Sequence, residues 1–78
     1  MSLHVTIATV SDTLFDGTAD SVLVPGTGGE MGILANHEPL ITTLKSGVVT
    51  VTVGKEKFTF PVTQGVLEVS NSVASILI

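Results

Sequence analysis

Cysteine, tryptophan, tyrosine and arginine are all missing from this 78-residue chain. Without cysteine no disulfide can staple the fold, so stability must come from one small hydrophobic core. Without arginine, three lysines stand against seven acidic residues at a formal net charge of -4. A nucleic-acid binder needs a basic footprint to neutralise phosphates, and this balance argues against that partner. Long apolar runs are missing too. Val22-Leu23-Val24-Pro25 and Ile76-Leu77-Ile78 fall far short of the roughly 20 residues a membrane helix needs, so no transmembrane segment is expected. The segment up to Thr6 has no basic n-region, apolar h-region or Arg-rich amphipathic stretch, so no export or organelle presequence is expected. Nor does any window of about eleven residues carry an apolar 3.6 period free of glycine and proline, which leaves no room for a substantial helix.

What is present is β-branched. Twelve valines, eleven threonines and five isoleucines bring side chains that are stiff at χ1 and sit well on a pleated surface. Leu3, Val5 and Ile7 alternate with His4, Thr6 and Ala8. Val49, Val51 and Val53 alternate with Val48, Thr50 and Thr52, and Phe58, Phe60 and Val62 with Lys57, Thr59 and Pro61. Period two of this kind predicts half-buried strands. Further strands are expected over Ser21 to Val24, Glu30 to Leu34, Leu40 to Leu44, Val66 to Ser70 and Val73 to Ile78. Turns are expected at Asp16-Gly17-Thr18, Pro25 to Gly29, Asn36, Ser46-Gly47, Gly54-Lys55-Glu56, Gln64-Gly65 and Asn71-Ser72. The clearest hairpin joins Val49–Val53 to Lys57–Phe60 through Gly54-Lys55-Glu56. Pro61 places the second strand of that hairpin at an edge or bulge, since proline cannot donate to a central ladder. The fold class is therefore all-β: a small flattened antiparallel sandwich or barrel forming a single domain, residues 1–78. The apolar stop at Ile76-Leu77-Ile78 suggests a longer chain cut at this point.

The motifs that carry chemistry are thin. Pro25-Gly26-Thr27-Gly28-Gly29-Glu30-Met31-Gly32 follows a predicted strand and could turn N–H groups toward an anion. It lacks the third glycine and the following helix of a dinucleotide loop, and the Gly-Lys-Ser/Thr of a triphosphate loop. His37 beside Glu38 could serve as a base with an orienting carboxylate or as half a metal site. His4, the other histidine, is remote in sequence and no H-x-x-H spacing exists; it reads as solvated on the polar face of the first strand. Asp12, Asp16 and Asp20 are spaced by four but lack the pattern of a calcium loop, and read as separate turn and strand-end carboxylates. No cysteine or G-x-S-x-G elbow offers a nucleophile. Catalytic residues, cofactors and metals are not expected. Glu30, a lone charge in an apolar stretch, is either a solvated loop tip or a partner contact.

The segment from Val24 to Val49, with Gly29-Glu30-Met31-Gly32-Ile33, His37-Glu38-Pro39-Leu40 and Leu44-Lys45-Ser46-Gly47-Val48 in order, resembles the signature of the epsilon subunit of rotary proton-translocating ATP synthases. Leu14-Phe15-Asp16-Gly17, read as a turn, and Gly65-Val66-Leu67-Glu68-Val69 extend the likeness along the chain. The resemblance implies a flattened β-sandwich of about ten short strands, without the carboxyl-terminal helical hairpin that follows in the family. It implies a non-catalytic central-stalk role that couples ring rotation to ATP synthesis on the cytoplasmic face of a bacterial cell membrane, or the organellar equivalent. The implied partners are the gamma subunit and the polar loops of the membrane rotor ring, with Glu30, Gly32, His37, Pro39 and Leu40 at the ring-facing end. Ala35-Asn36 stands where the family commonly has Pro-Gly, and asparagine tolerates left-handed dihedrals better than most residues. Gln64 replaces a frequent glycine, and Thr50 a frequent arginine. A different class of function remains alongside: a small ligand- or metal-binding β-domain using the Gly26 to Gly32 loop and His37.

Overall fold

The computed structural model describes residues 2–78. They form nine strands and no helix: β1 Leu3–Ala8, β2 Thr13–Ala19, β3 Ser21–Gly26, β4 Gly29–Leu34, β5 Leu40–Leu44, β6 Gly47–Val53, β7 Glu56–Val62, β8 Gly65–Ser70 and β9 Val73–Leu77. All belong to one curled sheet in the order β2-β1-β9-β8-β5-β3-β6-β7, with β4 paired to β3 off that path. The sheet folds over at β3. Along one edge β3 pairs with β6 through Ser21 to Leu23 and with the end of β5 through Gly26 and Leu44. The Lys45 N–H donates to the Pro25 carbonyl at that corner (2.9 Å). Two layers result, β2-β1-β9-β8-β5 over β4-β3-β6-β7, which is the expected sandwich.

The alternation explains the core. Leu3, Val5, Ile7, Ala19, Leu44, Leu67, Val69, Ala74 and Ile76 point inward from one layer. Val22, Val24, Ile33, Val49, Val51 and Val62 meet them from the other, and among the described residues no polar or charged one is buried. Each fully buried valine, leucine or isoleucine contributes about 1.5–3 kcal/mol relative to an exposed one, so this interleaved layer dominates the stability.

Several details differ from the sequence reading. The stretch Leu14-Phe15-Asp16-Gly17-Thr18 is the middle of β2, not a turn: Gly17 pairs with Val5 and Asp16 with Thr6. Its inward residues are Phe15, Gly17 and Ala19, two of them too small to announce a strand, and pairing with β1 overrides the local turn preference of Asp-Gly. Asp16 is accordingly a mid-strand carboxylate. It accepts from Thr6 Oγ1 at 3.4 Å and meets His4 Nε2 at 2.5 Å, so the exposed His4 is hydrogen-bonded to a carboxylate as well as solvated. The β1–β9 pairing is parallel within an otherwise antiparallel ladder. The β6–β7 turn is Gly54-Lys55 alone, since Glu56 already pairs with Val53. Glycine at φ +60 in the first position suits the twist of a tight hairpin, and Asp20 Oδ2 accepts the Gly54 N–H at 2.7 Å. As Pro61 requires, β7 ends the strand order.

The free edges of β2 and β7 are closed by side chains. Phe15 of β2 packs against Phe58 and Phe60 of β7 with ring centroids 5.7 and 6.0 Å apart, tilted and edge-on. All three phenylalanines of the chain thus lie at one seam.

Candidate functional site

β4 and the segment that carries the chain from one layer to the other hold the residues singled out by sequence. Glu30 is exposed and pairs with Pro25, next to the Thr27-Gly28 turn. Gly32, two residues on, shares its outward face and sits opposite Leu23. Its φ is not in the left-handed range and a Cβ there would meet nothing within 4 Å. Nothing inside the domain requires glycine at this position. β4 pairs only with β3, which leaves its other edge open.

After Leu34 the chain turns at Ala35-Asn36. Asn36 is left-handed at φ 64, as its tolerance for that region allows. The His37 N–H donates to the Leu34 carbonyl at 3.2 Å. His37 Nδ1 lies 2.8 Å from the Glu38 carbonyl oxygen. A carbonyl only accepts, so Nδ1 carries a proton and Nε2 is the ring nitrogen left to meet a partner. Glu38 and Pro39 are exposed, whereas Leu40 turns inward and packs on the core, anchoring the crossover.

Glu30, Gly32, His37, Pro39 and Leu40 therefore do not share one tip. Glu30 lies near the Thr27-Gly28 turn; Leu34, the far end of β4, is about 13 Å along the strand from it at about 3.3 Å per residue, and His37 lies beyond that end. They line one edge of the sandwich: the outer margin of β4, then the crossover, then the start of β5. At the crossover end the Asn71-Ser72 turn between β8 and β9 joins them. Ser72 Oγ accepts the Asn36 N–H at 2.9 Å and donates to Asn36 Oδ1 at 3.3 Å. Sequence marked Asn71-Ser72 as a turn but gave no sign of that partner, 36 residues away in the chain.

Catalytic geometry is not assembled here. Open depressions of about 430, 610 and 450 Å³ lie on the outer face and one end of the sandwich; none is lined by the five residues above, and Glu68 is the one ionisable group in their walls. Among the described residues no group of three or more His, Asp or Glu could hold a metal, and no helix is long and apolar enough to cross a membrane. The Gly26 to Gly32 loop is a two-residue turn between β3 and β4 and its flanking pairs; it opens no helix.

Comparison with known proteins gives a consistent result. The family described as ATP synthase, Delta/Epsilon chain, beta-sandwich domain matches residues 2–78. An ATP synthase epsilon chain of Hydrogenovibrio crunogenus is 44% identical over 77 residues, covering 99% of this chain and 54% of that protein. One of Gloeothece citriformis is 41% identical over 78 residues, covering 100% and 56%. The chain thus spans about half the length of these relatives. Among solved structures, a chain of the Euglena gracilis mitochondrial ATP synthase, OSCP/F1/c-ring, superposes with a TM-score of 0.91 at 23% identity, covering 97% of this chain and 49% of that one. One from the central stalk/c-ring of the Tetrahymena thermophila mitochondrial ATP synthase gives 0.79 at 15%, covering 99% and 63%. These two establish likeness of fold alone. With the family matched from residue 2 to residue 78, the chain belongs to the beta-sandwich domain family of ATP synthase delta and epsilon chains.

Proposed function

We propose that this domain is a non-catalytic element of the ATP synthase central stalk, binding the gamma subunit and the polar loops of the membrane rotor ring and passing torque between them. The reading places it on the cytoplasmic face of a bacterial membrane, or the organellar equivalent. The observation that carries it is the edge strip of Glu30, Gly32, His37 and Pro39, family signature positions along one margin of the sandwich, with Leu40 anchoring the strip in the core. A carboxylate near one end of β4 and an imidazole beyond the other suit charge-assisted bonds to basic loops better than they suit a shared reaction centre. Gly32 lets a partner's backbone come close to the sheet where a side chain would hold it off.

The test is binding. The 78-residue chain should form a complex with the cognate gamma subunit at micromolar concentration, and with detergent-solubilised rotor ring. Glu30→Lys should weaken the ring complex at least tenfold and leave the gamma complex intact. Absence of both complexes, or calorimetric heat with ATP or divalent metal at the Gly26 to Gly32 loop, would refute the reading.

A further inference from the structure

Ser72 occupies a backbone position that serine does not favour. With Asn71 at φ 52 and Ser72 at φ 60, both central residues of the β8–β9 turn are left-handed, the geometry for which Asn-Gly is the preferred pair. A Cβ at the second position adds strain that glycine would avoid. Strain of this kind persists where the surroundings over-determine it, and it gathers at clamps and binding sites. The surroundings here are specific. The Ser72 carbonyl accepts the His4 N–H at 2.9 Å, and its hydroxyl makes the two hydrogen bonds to Asn36 given above. The hydroxyl is what this side chain delivers in return for the strain, and its recipient is the left-handed residue immediately before His37.

We infer that Ser72 is a positioning residue: its hydroxyl locks Asn36 in the left-handed conformation and so sets the direction in which His37 and Pro39 leave β4 toward a docked partner. The inference rests on the edge-strip reading. Three features agree with it. The latch joins segments from opposite layers, β4's exit and the β8–β9 turn, so the crossover is held at both ends: by Ser72 at Asn36, and by Leu40 in the core. Among the described residues, the His37 ring and backbone N–H bond to near neighbours in sequence, Glu38 and Leu34, so these bonds move with the loop. Asn36 is exposed, so burial does not hold it.

Ser72→Gly separates this role from a merely structural one, because glycine adopts the turn without strain while removing the hydroxyl. The melting temperature of the 78-residue chain should stay level or rise. Exchange of the Asn36 amide, followed by NMR, should accelerate about fivefold, as expected for one lost hydrogen bond, with amides in the centre of β8 and β9 unchanged. Affinity for detergent-solubilised rotor ring should fall about three- to tenfold. Combined with His37→Ala, the Ser72→Gly change should add less than it does alone, since part of its effect acts through the His37 side chain. Unaltered Asn36 exchange, or ring affinity unchanged by Ser72→Gly while His37→Ala weakens it, would overturn the positioning role. His37→Ala without effect on ring affinity would instead remove the docking reading on which the role depends.

Discussion

A Cβ added at Gly65 would lie 2.6 Å from the Leu77 carbonyl oxygen and 2.9 Å from Ile78 Cγ2. The first of these is backbone, held in the β8–β9 ladder, and cannot swing aside. Gly65→Ala should therefore destabilise the domain by about 1–3 kcal/mol, the range for an over-packed site, read as a lower urea midpoint at unchanged slope. Gly32→Ala should behave in the opposite way. Its Cβ would point into open space, and alanine in a strand loses less backbone entropy on folding than glycine. Stability should hold or rise by about 0.5 kcal/mol, while affinity for the rotor ring falls. An unchanged ring affinity would show that no partner backbone approaches there. In sequence these two glycines look alike, each flanking an apolar run.

Among the elements, β2 depends most on its surroundings. One edge pairs with β1 and the other is closed to β7 only through phenylalanine rings. Aromatic pairs at this spacing contribute about 0.5–1.5 kcal/mol beyond area burial. A double-mutant cycle on Phe15→Ala and Phe58→Ala should return a coupling energy in that range, and additivity would mean the seam is contact without energy. This element is also where local sequence was least informative. Asp16-Gly17 signals a turn by itself and becomes strand because His4, Thr6 and Val5 supply partners across the ladder. The β6–β7 hairpin was legible for the converse reason: strict alternation, a glycine at the turn and Pro61 at the edge all agree.

As a whole the molecule has a radius of gyration of 11.1 Å, close to the about 11.5 Å expected for a compact chain of this length. Its limitation is size, since a domain so small buries only about 60% of its unfolded surface. A bound partner should add stability by mass action, about 2.7 kcal/mol at a hundredfold excess over Kd. For a domain of this size that corresponds to a rise in melting temperature of about 10 °C or more. Calorimetry of the chain with saturating gamma subunit checks this, and a melting temperature that does not move would contradict the stalk assignment.

The sequence by itself determined the all-β class, the identity of most core residues and the kinship with a family, because period-two alternation and spaced glycines are local properties that survive being read one residue at a time. The five candidate residues were legible as types, an exposed acid, a histidine and turn formers, but their arrangement was not. Only the fold-over at β3 and the crossing of residues 35–39 between layers decided that Glu30 and His37 sit at opposite ends of one edge. The Ser72–Asn36 latch and the phenylalanine seam likewise join positions far apart in the chain. Such contacts depend on how two twisted layers superpose, and no stretch of neighbouring residues encodes that alone.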